Sequence, residues 1–157
     1  VFQSTRLMGV NFDQHVPEEA YELPIGKSRI VKAGNDVTLI GIGTTTRTCM
    51  QAAESLAKQG YQAEVVDLLS ISPMDEETIL SSISKTRKVV IVDEDYPKCS
   101  VASEISALSA EKAFDLLDAP PKRVTAPHAS IPYSSVLEQL HFPSVEKVTA
   151  ACLEVIN

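Results

Sequence analysis

Three threonines follow a short apolar segment that ends in glycine. Residues 37–43 are rich in β-branched side chains, and Thr44, Thr45 and Thr46 come directly before a helical pattern. In open α/β sheets, the loop between the carboxyl end of a strand and the next helix is where ligands bind. The three hydroxyls could bind an anion at the helix N-terminus, or they could cap the helix. Thr44, Thr45 and Thr46 are therefore the anion-binding candidates.

Gly41 and Gly43 resemble the start of a glycine-rich loop that binds dinucleotides. The third glycine of such a loop is missing from the residues that follow. Asp67 ends the next predicted strand, where an acid that binds ribose would lie. Glycines also serve ordinary tight turns, so both interpretations stay open.

Acidic residues and a cysteine follow the predicted strand at residues 89–92. Asp93, Glu94 and Asp95 could bind a metal ion or act as general acid and base, although a solvated acidic loop or a subunit contact is the simpler interpretation. Cys99 precedes a predicted helix, whose N-terminus can activate a thiolate, but no base lies close in sequence. The pattern assigns no catalytic residue and no metal site.

The composition is that of a globular domain and excludes several functions. The 157 residues are 44% hydrophobic and 22% charged, which is enough for one buried core. A net charge of −7 argues against nonspecific binding of nucleic acid and suits a basic protein partner. No apolar segment approaches the roughly 20 residues of a membrane span, and no signal segment opens the chain. Because the chain begins with Val1, we expect a fragment or a processed form.

The three cysteines are Cys49, Cys99 and Cys152, which lie far apart in the sequence. Neither a disulfide framework nor a structural zinc site is expected from this spacing. We therefore expect free thiols in a reducing, intracellular compartment.

Alternating strand and helix patterns predict a three-layer α/β/α domain. Strands are expected at residues 29–32, 37–42, 63–68, 89–92 and 122–125, with the first at an edge. Helices are expected at residues 45–59, from about 75, at about 100–117, at 134–140 and after Ser144. Residues 1–22 read as a linker or arm, and residues 23–157 as the compact domain.

Asp115 and Asp118 lie near the end of the predicted long helix. The helix dipole disfavours acidic side chains at that end, so their presence suggests a basic partner outside the chain. An ordinary polar helix end is the alternative.

A series of segments in this order resembles a known family. The segments are residues 16–19, 23–27, 36–40, 65–68, 72–75, 114–120, 123–127 and 132–133, with Pro143. Together they resemble the C-terminal half of the beta subunit of thiamine-diphosphate-dependent 2-oxo-acid dehydrogenases. That family includes pyruvate, branched-chain 2-oxo-acid and acetoin dehydrogenases, and the domain is of the transketolase C-terminal type.

The resemblance implies a mostly parallel five-stranded sheet with one antiparallel edge strand, and with residues 37–42 at its centre. It also implies that the cofactor binds elsewhere. A preceding domain of the beta subunit would bind the aminopyrimidine of thiamine diphosphate, and the alpha subunit would bind its diphosphate and magnesium. Residues 1–8 would be the tail of that preceding domain. Alone, this part of an oxidoreductase is expected to bind no cofactor tightly and to be inactive.

The same resemblance implies three partners: an alpha subunit, a second beta subunit and the peripheral subunit-binding domain of the acyltransferase core. Basic residues of that last domain would meet Asp118, which matches the family's acid before Ala-Pro, and the terminal carboxylate at Asn157, with Asp115 beside them. The cytoplasm or the mitochondrial matrix is the implied location.

One departure from the family concerns residues 93–100. Many members have His-Glu followed by two glycines and an aromatic residue there, which this sequence lacks. The difference favours an acetoin-like or divergent branch. Two other hypotheses stand beside the docking domain. One is a stand-alone anion- or nucleotide-binding module that uses Thr44–Thr46, and the other is an enzyme domain that uses Asp93, Glu94 or Cys99.

Overall fold

Five strands form one mixed sheet in the computed structural model, which describes Leu7 and residues 18–157. They are β1 (Arg29–Lys32), β2 (Val37–Gly41), β3 (Ala63–Asp67), β4 (Val89–Val92) and β5 (Lys122–Val124), in the spatial order β1-β3-β2-β4-β5. β1 is antiparallel to β3, and the other pairs are parallel. The structure confirms the mostly parallel five-stranded sheet, its antiparallel edge strand and the central position of β2.

Helices cover both faces of this sheet. They are α1 (Thr44–Ala57), α2 (Glu76–Thr86), α3 (Val101–Lys112), α4 (Ser135–His141) and α5 (Val145–Ile156). α1 and α5 pack on one face, and α2 and α3 pack on the other. The predicted three-layer α/β/α architecture is therefore confirmed.

The strand side chains alternate between the two helical layers. Leu39 of β2 and Val65 of β3 pack with α1 and α5, whereas their neighbours Ile40 and Val66 pack with α2 and α3. Every residue of β2, β3 and β4 is buried. Such burial on both faces explains why β4 is a continuous apolar run instead of alternating polar and apolar residues.

Gly60 terminates α1, as its sequence predicts, although the last helical residue is Ala57, two residues before the predicted end. The Gly60 N–H donates to the Ala57 carbonyl at 3.1 Å, and the Tyr61 N–H donates to the Leu56 carbonyl at 3.1 Å. These two bonds form a Schellman motif, in which Gly60 adopts a φ of +92° that a side chain would disfavour.

α3 is shorter than predicted. The sequence predicts a helix to residue 117, but the α-helix ends at Lys112 and a single 3₁₀ turn, Phe114–Leu116, follows. The backbone N–H of Asp118 donates to the Arg87 carbonyl at 2.9 Å, and this tie redirects the chain away from the helix axis. Asp115 and Asp118 therefore do not belong to the last turn of α3, so the helix dipole gives no reason to expect a basic partner there.

The segment before β1 is described only in part. Most of the predicted arm at residues 1–22, including the predicted tail at residues 1–8 apart from Leu7, lies outside the described residues. The expected boundary near residue 23 stays a prediction. After it, the Ser28 N–H donates to Asp75 Oδ2 at 2.7 Å, which attaches the start of the domain to the N-cap of α2. Burial raises the pKa of Asp75, but hydrogen bonds from Ser28 and Thr78 outweigh it, and the net pKa is lowered.

A polar network is buried between β3, β2 and α2. Glu64 is 1% exposed and accepts a 2.5 Å hydrogen bond from the Ser82 hydroxyl, while Lys85 forms an ion pair with its other oxygen. The Thr38 hydroxyl lies 2.8 Å from that of Ser82 and 2.7 Å from that of Thr86. A buried carboxylate is tolerated because each of its oxygens has a partner.

Replacing Glu64 with alanine should destabilise the fold by about 2–3 kcal/mol, because Ser82 and Lys85 lose their shared acceptor. The loss of stability is limited because Lys85 is 41% exposed and solvent screens its charge. Chemical denaturation measures this difference. Glu54→Ala, at an exposed position on α1, is the control and should change stability by less than about 0.5 kcal/mol. Equal effects for the two variants would contradict a structural role for the network.

Candidate functional site

Thr45 and Thr46 use their hydroxyls inside the fold. Thr45 is 1% exposed. Its Oγ1 accepts from the Ile42 N–H at 2.7 Å and donates to the Val92 carbonyl at 2.7 Å. The Thr46 hydroxyl donates to Asp67 Oδ1 at 2.8 Å. Gly43 is the N-cap of α1, with no side-chain hydrogen bond to the cap. Thr45 and Thr46 therefore join β2, β4 and β3 to α1. The prediction that a threonine caps α1 is wrong, because the N-cap is Gly43 and no side chain bonds to the cap.

Asp67 and Gly41 have structural roles that explain why they resemble a nucleotide loop. Asp67 is 7% exposed, and its Oδ2 accepts from Arg29 at 3.1 Å. A Cβ placed on Gly41 would lie 2.5 Å from the Thr46 Cα, so glycine lets α1 approach the end of β2. Asp67 thus joins β3 to β1 and α1, and Gly41 lets α1 pack against β2.

A small polar cleft lies beside the first turns of α1. Its volume is about 180 Å³, and its wall includes Thr44, Arg47, Thr48, Gln51 and Glu94. Pockets that enclose a small-molecule ligand usually have volumes of roughly 300–1,000 Å³. This cleft is therefore too small to enclose a nucleotide, although Thr44 is the candidate threonine that does face it.

Asp93 holds the loop after β4 to the start of α3. Its side chain is 7% exposed, and its two oxygens accept from the Ala102 N–H at 3.0 Å and the Asp95 N–H at 3.1 Å. Asp95 is exposed, and its Oδ1 accepts from the Tyr96 N–H at 2.7 Å. An acid that accepts from one backbone donor at the helix N-terminus and one in the loop stabilises the loop.

Cys99 is exposed and has a φ of +57°, next to Ser100, the N-cap of α3. In the part of the chain that the structure describes, no hydrogen-bonded base contacts its sulfur. The arrangement lacks the nucleophile–base pair that covalent catalysis requires. The other two cysteines are buried, and burial raises the pKa of Cys49 and raises that of Cys152 to about 12.

Two of the three candidate partner-binding residues, Asp118 and Asn157, lie at the opposite end of the sheet, which we call the amino edge. It comprises the segments that lead into β4 and β5 together with the last turn of α5. Arg87 Nε and Nη2 contact Asp118 Oδ1 at 2.9 and 2.8 Å, and the Asp118 side chain is 45% exposed. Among the described residues, none forms a hydrogen bond or ion pair with Asp118 Oδ2.

The amino edge also includes the end of α5. Lys122 at the start of β5 forms an ion pair with Glu154, and Ala119 and Ile156 pack against the same core cluster. These contacts bring the segment after Asp118 close to the chain end at Asn157. The structure thus brings two of the three predicted partner-binding residues to one end of the domain.

Exposed apolar side chains flank the third predicted residue, Asp115. Phe114 is 73% exposed and Leu116 is 36% exposed, and Asp115 between them is also exposed. A surface that combines acids with projecting apolar groups is suited to a partner that has basic and apolar groups.

Sequence reasoning missed Arg87. It adopts a left-handed conformation at the C-cap of α2, with a φ of +61°, where glycine is the usual residue. A non-glycine residue at this position is uncommon and indicates a constraint. The sequence offers no local sign of this conformation, because the partner of Arg87 lies 31 residues away.

Neither a metal-ion site nor a membrane-spanning helix is present among the described residues. No three His, Cys, Asp or Glu side chains in this part of the chain form a group that could hold a metal ion. No helix there has both the length and the apolar character needed to cross a membrane.

Removing Arg87 should raise the pKa of Asp118 towards its usual value. The hydrogen bond from Arg87 is the main cause that lowers this pKa, so the contribution of the pair to stability is present at neutral pH and lost as the pH falls through the lowered pKa. We expect Arg87→Gly to raise the pKa without backbone strain, because glycine accepts a positive φ. An NMR titration of the Asp118 carboxyl carbon measures it. Lys112→Ala is the control, because Lys112 pairs with Glu76. An unchanged pKa in Arg87→Gly would contradict the assignment.

Comparisons with known proteins agree with this architecture. The family described as the transketolase, C-terminal domain matches residues 26–148. A solved structure described as a split gene transketolase, inactive beta4 tetramer, has a TM-score of 0.74 and 24% identity over 87% of this chain and 44% of that one. At that identity, the likeness supports the fold alone.

Two curated relatives match nearly the whole chain. The acetoin:2,6-dichlorophenolindophenol oxidoreductase subunit beta of Bacillus subtilis (strain 168) is 47% identical over 147 residues, which cover 94% of this chain and 43% of the relative. The mitochondrial pyruvate dehydrogenase E1 component subunit beta of Dictyostelium discoideum is 40% identical over 155 residues, which cover 98% of this chain and 44% of the relative. The chain thus spans less than half the length of these relatives. With the matched family and the observed fold, the chain belongs to the transketolase C-terminal domain family.

Proposed function

We propose that this chain is the C-terminal domain of the beta subunit of a thiamine-diphosphate-dependent dehydrogenase, and that it serves subunit assembly and partner docking. The observation that carries the proposal is the contrast between the two ends of the sheet. At the carboxyl ends of the strands, Thr45, Thr46, Asp67 and Asp93 all have partners within the fold. At the amino edge, Asp118 is half exposed, and Arg87 contacts only one of its two carboxylate oxygens.

The names of the relatives support the choice of parent enzyme. Both the acetoin oxidoreductase and the pyruvate dehydrogenase relatives are beta subunits, which favours an alpha subunit and a second beta subunit as partners. Acetoin is the proposed substrate class of the parent, because that relative is 47% identical and residues 93–100 depart from the pattern of many 2-oxo-acid dehydrogenases. Relatives from a bacterium and from mitochondria favour the cytoplasm or the mitochondrial matrix as its location.

The cleft at α1 does not fit thiamine diphosphate with its magnesium ion. The cleft at α1 has a volume of about 180 Å³, below the usual size of a cofactor pocket. The described residues also offer no group of acidic ligands for the metal. We therefore propose that other domains bind the cofactor, and no catalytic step is assigned to this chain.

The proposed docking surface consists of Asp115, Asp118 and Asn157, with Phe114 and Leu116 as its apolar part. The net charge of −7 favours encounter with a basic domain such as the peripheral subunit-binding domain of an acyltransferase. Arg87 competes for Asp118, since it already donates to one carboxylate oxygen. A basic partner would bind the other oxygen or displace Arg87.

Binding of such a domain should respond in opposite directions to two substitutions. Asp118→Lys should weaken binding by about tenfold or more, because it replaces attraction with repulsion. Arg87→Gly should strengthen binding, because it frees Asp118 from its internal partner. Isothermal titration calorimetry with an isolated subunit-binding domain measures both effects, and added salt should weaken the wild-type complex.

The matched control is Glu54→Lys, which makes the same change in charge at an exposed position on α1. It should leave the affinity nearly unchanged. If Glu54→Lys and Asp118→Lys weaken binding equally, net charge alone drives the association and Asp118 does not lie in the interface.

The chain alone should not bind thiamine diphosphate. Calorimetric titration with the cofactor and magnesium should give no saturable heat for the 157-residue chain. The matched experiment uses a complete beta subunit mixed with its alpha subunit, for which binding is expected. Saturable binding by the chain alone would contradict the proposal that other domains form the cofactor site.

A further inference from the structure

Lys85 of α2 reaches from the protein surface to a buried carboxylate. Its side chain is 41% exposed, whereas the side chain of Glu64, with which its Nζ forms an ion pair, is 1% exposed. The ion pair of Lys112 with Glu76 is different, because both of its side chains are about half exposed. The Lys85 ammonium thus has one side open to solvent and one side against a carboxylate that water does not reach.

Lys27 also approaches a buried carboxylate, but it does not bond to it. Its Nζ lies 3.9 Å from Asp75 Oδ1, and Asp75 already accepts hydrogen bonds from Ser28 and Thr78. Lys27 donates instead to the exposed Glu77, at 3.3 Å. Among the lysines that the structure describes, Lys85 is therefore the one that bonds to a buried carboxylate.

The Glu64 carboxylate is held in position from its other side. The Ser82 hydroxyl donates to Glu64 Oε1 at 2.5 Å, and the Thr38 hydroxyl lies 2.8 Å from that of Ser82. A nucleophile that contacts a base, with a third group orienting that base, is the arrangement that activates side chains for covalent chemistry. Lys85 is placed as the nucleophile, Glu64 as the base and Ser82 as the positioning residue.

Burial of Glu64 favours transfer of a proton to it from Lys85. The transfer turns an ammonium and a carboxylate into a neutral amine and a neutral carboxyl, and neutral groups lose less than charged groups when they are removed from water. The amine then has the lone pair that attacks an electrophile. Lys112 and Glu76 gain little from the same transfer, because solvent stabilises both of their charges.

An open groove between β1 and α2 gives a reagent access to the same side of α2. Its volume is about 310 Å³, and it is lined by Lys27, Ile30, Glu77, Thr78 and Ser81. Ser81 lies four residues before Lys85, so the two side chains are neighbours on the helix surface. Residues 25–34 beside the groove include three basic and no acidic residues. In a chain with a net charge of −7, this segment favours an anionic reagent.

We propose that Lys85 is a modification site that takes an acyl group from an anionic acyl thioester. Glu64 Oε2 accepts one proton from the Lys85 ammonium, and Nζ attacks the carbonyl carbon of the thioester. The C–N bond forms, the C–S bond breaks, and the leaving thiolate takes a second proton from the nitrogen. The products are an amide on Lys85, a protonated Glu64 and a free thiol. The site uses no residue of the proposed docking surface and does not depend on docking.

Incubation of the 157-residue chain with acetyl-CoA tests the proposal, with the acetylation rate of each lysine followed by mass spectrometry of peptides. Lys85 should react about tenfold or more faster than Lys112, because only Lys85 contacts a buried base. Lys112 is the internal control, since it also forms an ion pair with a carboxylate on the same protein. Equal rates at the two lysines would overturn the proposal.

Glu64→Gln separates a base from an ion pair that merely shields the amine. The variant keeps the size of the side chain and an oxygen for Ser82, but it cannot accept the proton. Acetylation of Lys85 should slow by about tenfold or more, while that of Lys112 stays unchanged. A faster reaction at Lys85 in Glu64→Gln would show that the ion pair shields the amine, and would overturn the proposal.

Ser82→Ala is the second variant, because it removes the hydrogen bond that orients Glu64 but leaves the carboxylate in place. It should also slow acetylation of Lys85 and leave Lys112 unchanged. Circular dichroism verifies that each variant folds, and loss of structure would speed acetylation at both lysines together. An unchanged Lys85 rate in a folded Ser82→Ala variant would contradict the positioning role of Ser82. Asp118→Lys should not change either rate, so failure of the docking proposal can be told apart from failure of this one.

Discussion

The fold depends on burying β2 on both faces and along both edges. All five of its residues are buried, so its backbone must pair with β3 and β4 while helices cover both sides. The approach of α1 is close enough that only glycine fits at position 41, where a Cβ would lie 2.5 Å from the Thr46 backbone. The glycine–threonine segment is thus a joint that packs α1 onto the sheet, and its resemblance to a ligand loop follows from this packing.

This packing uses the polar groups at the carboxyl ends of the strands. Thr45 and Thr46 reach across to Val92 and Asp67, and Asp93 satisfies backbone donors at the start of α3. These groups are unavailable to a substrate unless the fold gives up hydrogen bonds that it needs. Among the described residues, the amino edge presents exposed acidic groups for recognition. A domain with such a surface is suited to assembly with other proteins.

The residue patterns predict the layers and the sheet well, because burial imposes periodicity on neighbouring residues. They identify β2 from its apolar, β-branched run and the end of α1 from Gly60. They do not identify contacts between distant residues. The partners of Glu64 lie on α2, and Arg87 is joined to the segment after α3 through its contacts with Asp118. For the same reason, the sequence predicts a ligand loop at Thr44–Thr46 but does not show that the Thr45 and Thr46 hydroxyls already bond to Val92 and Asp67.

Amide hydrogen exchange, compared with and without a bound subunit-binding domain, tests the central claim most directly. If this domain docks partners through the amino edge, protection should increase at residues 112–122 and 153–157 and stay unchanged at residues 42–51 and 93–100. Protection confined to residues 42–51 and 93–100 would place the binding site at the cleft beside α1. That result would contradict the claim that the polar groups at the carboxyl ends of the strands are already used in hydrogen bonds within the fold.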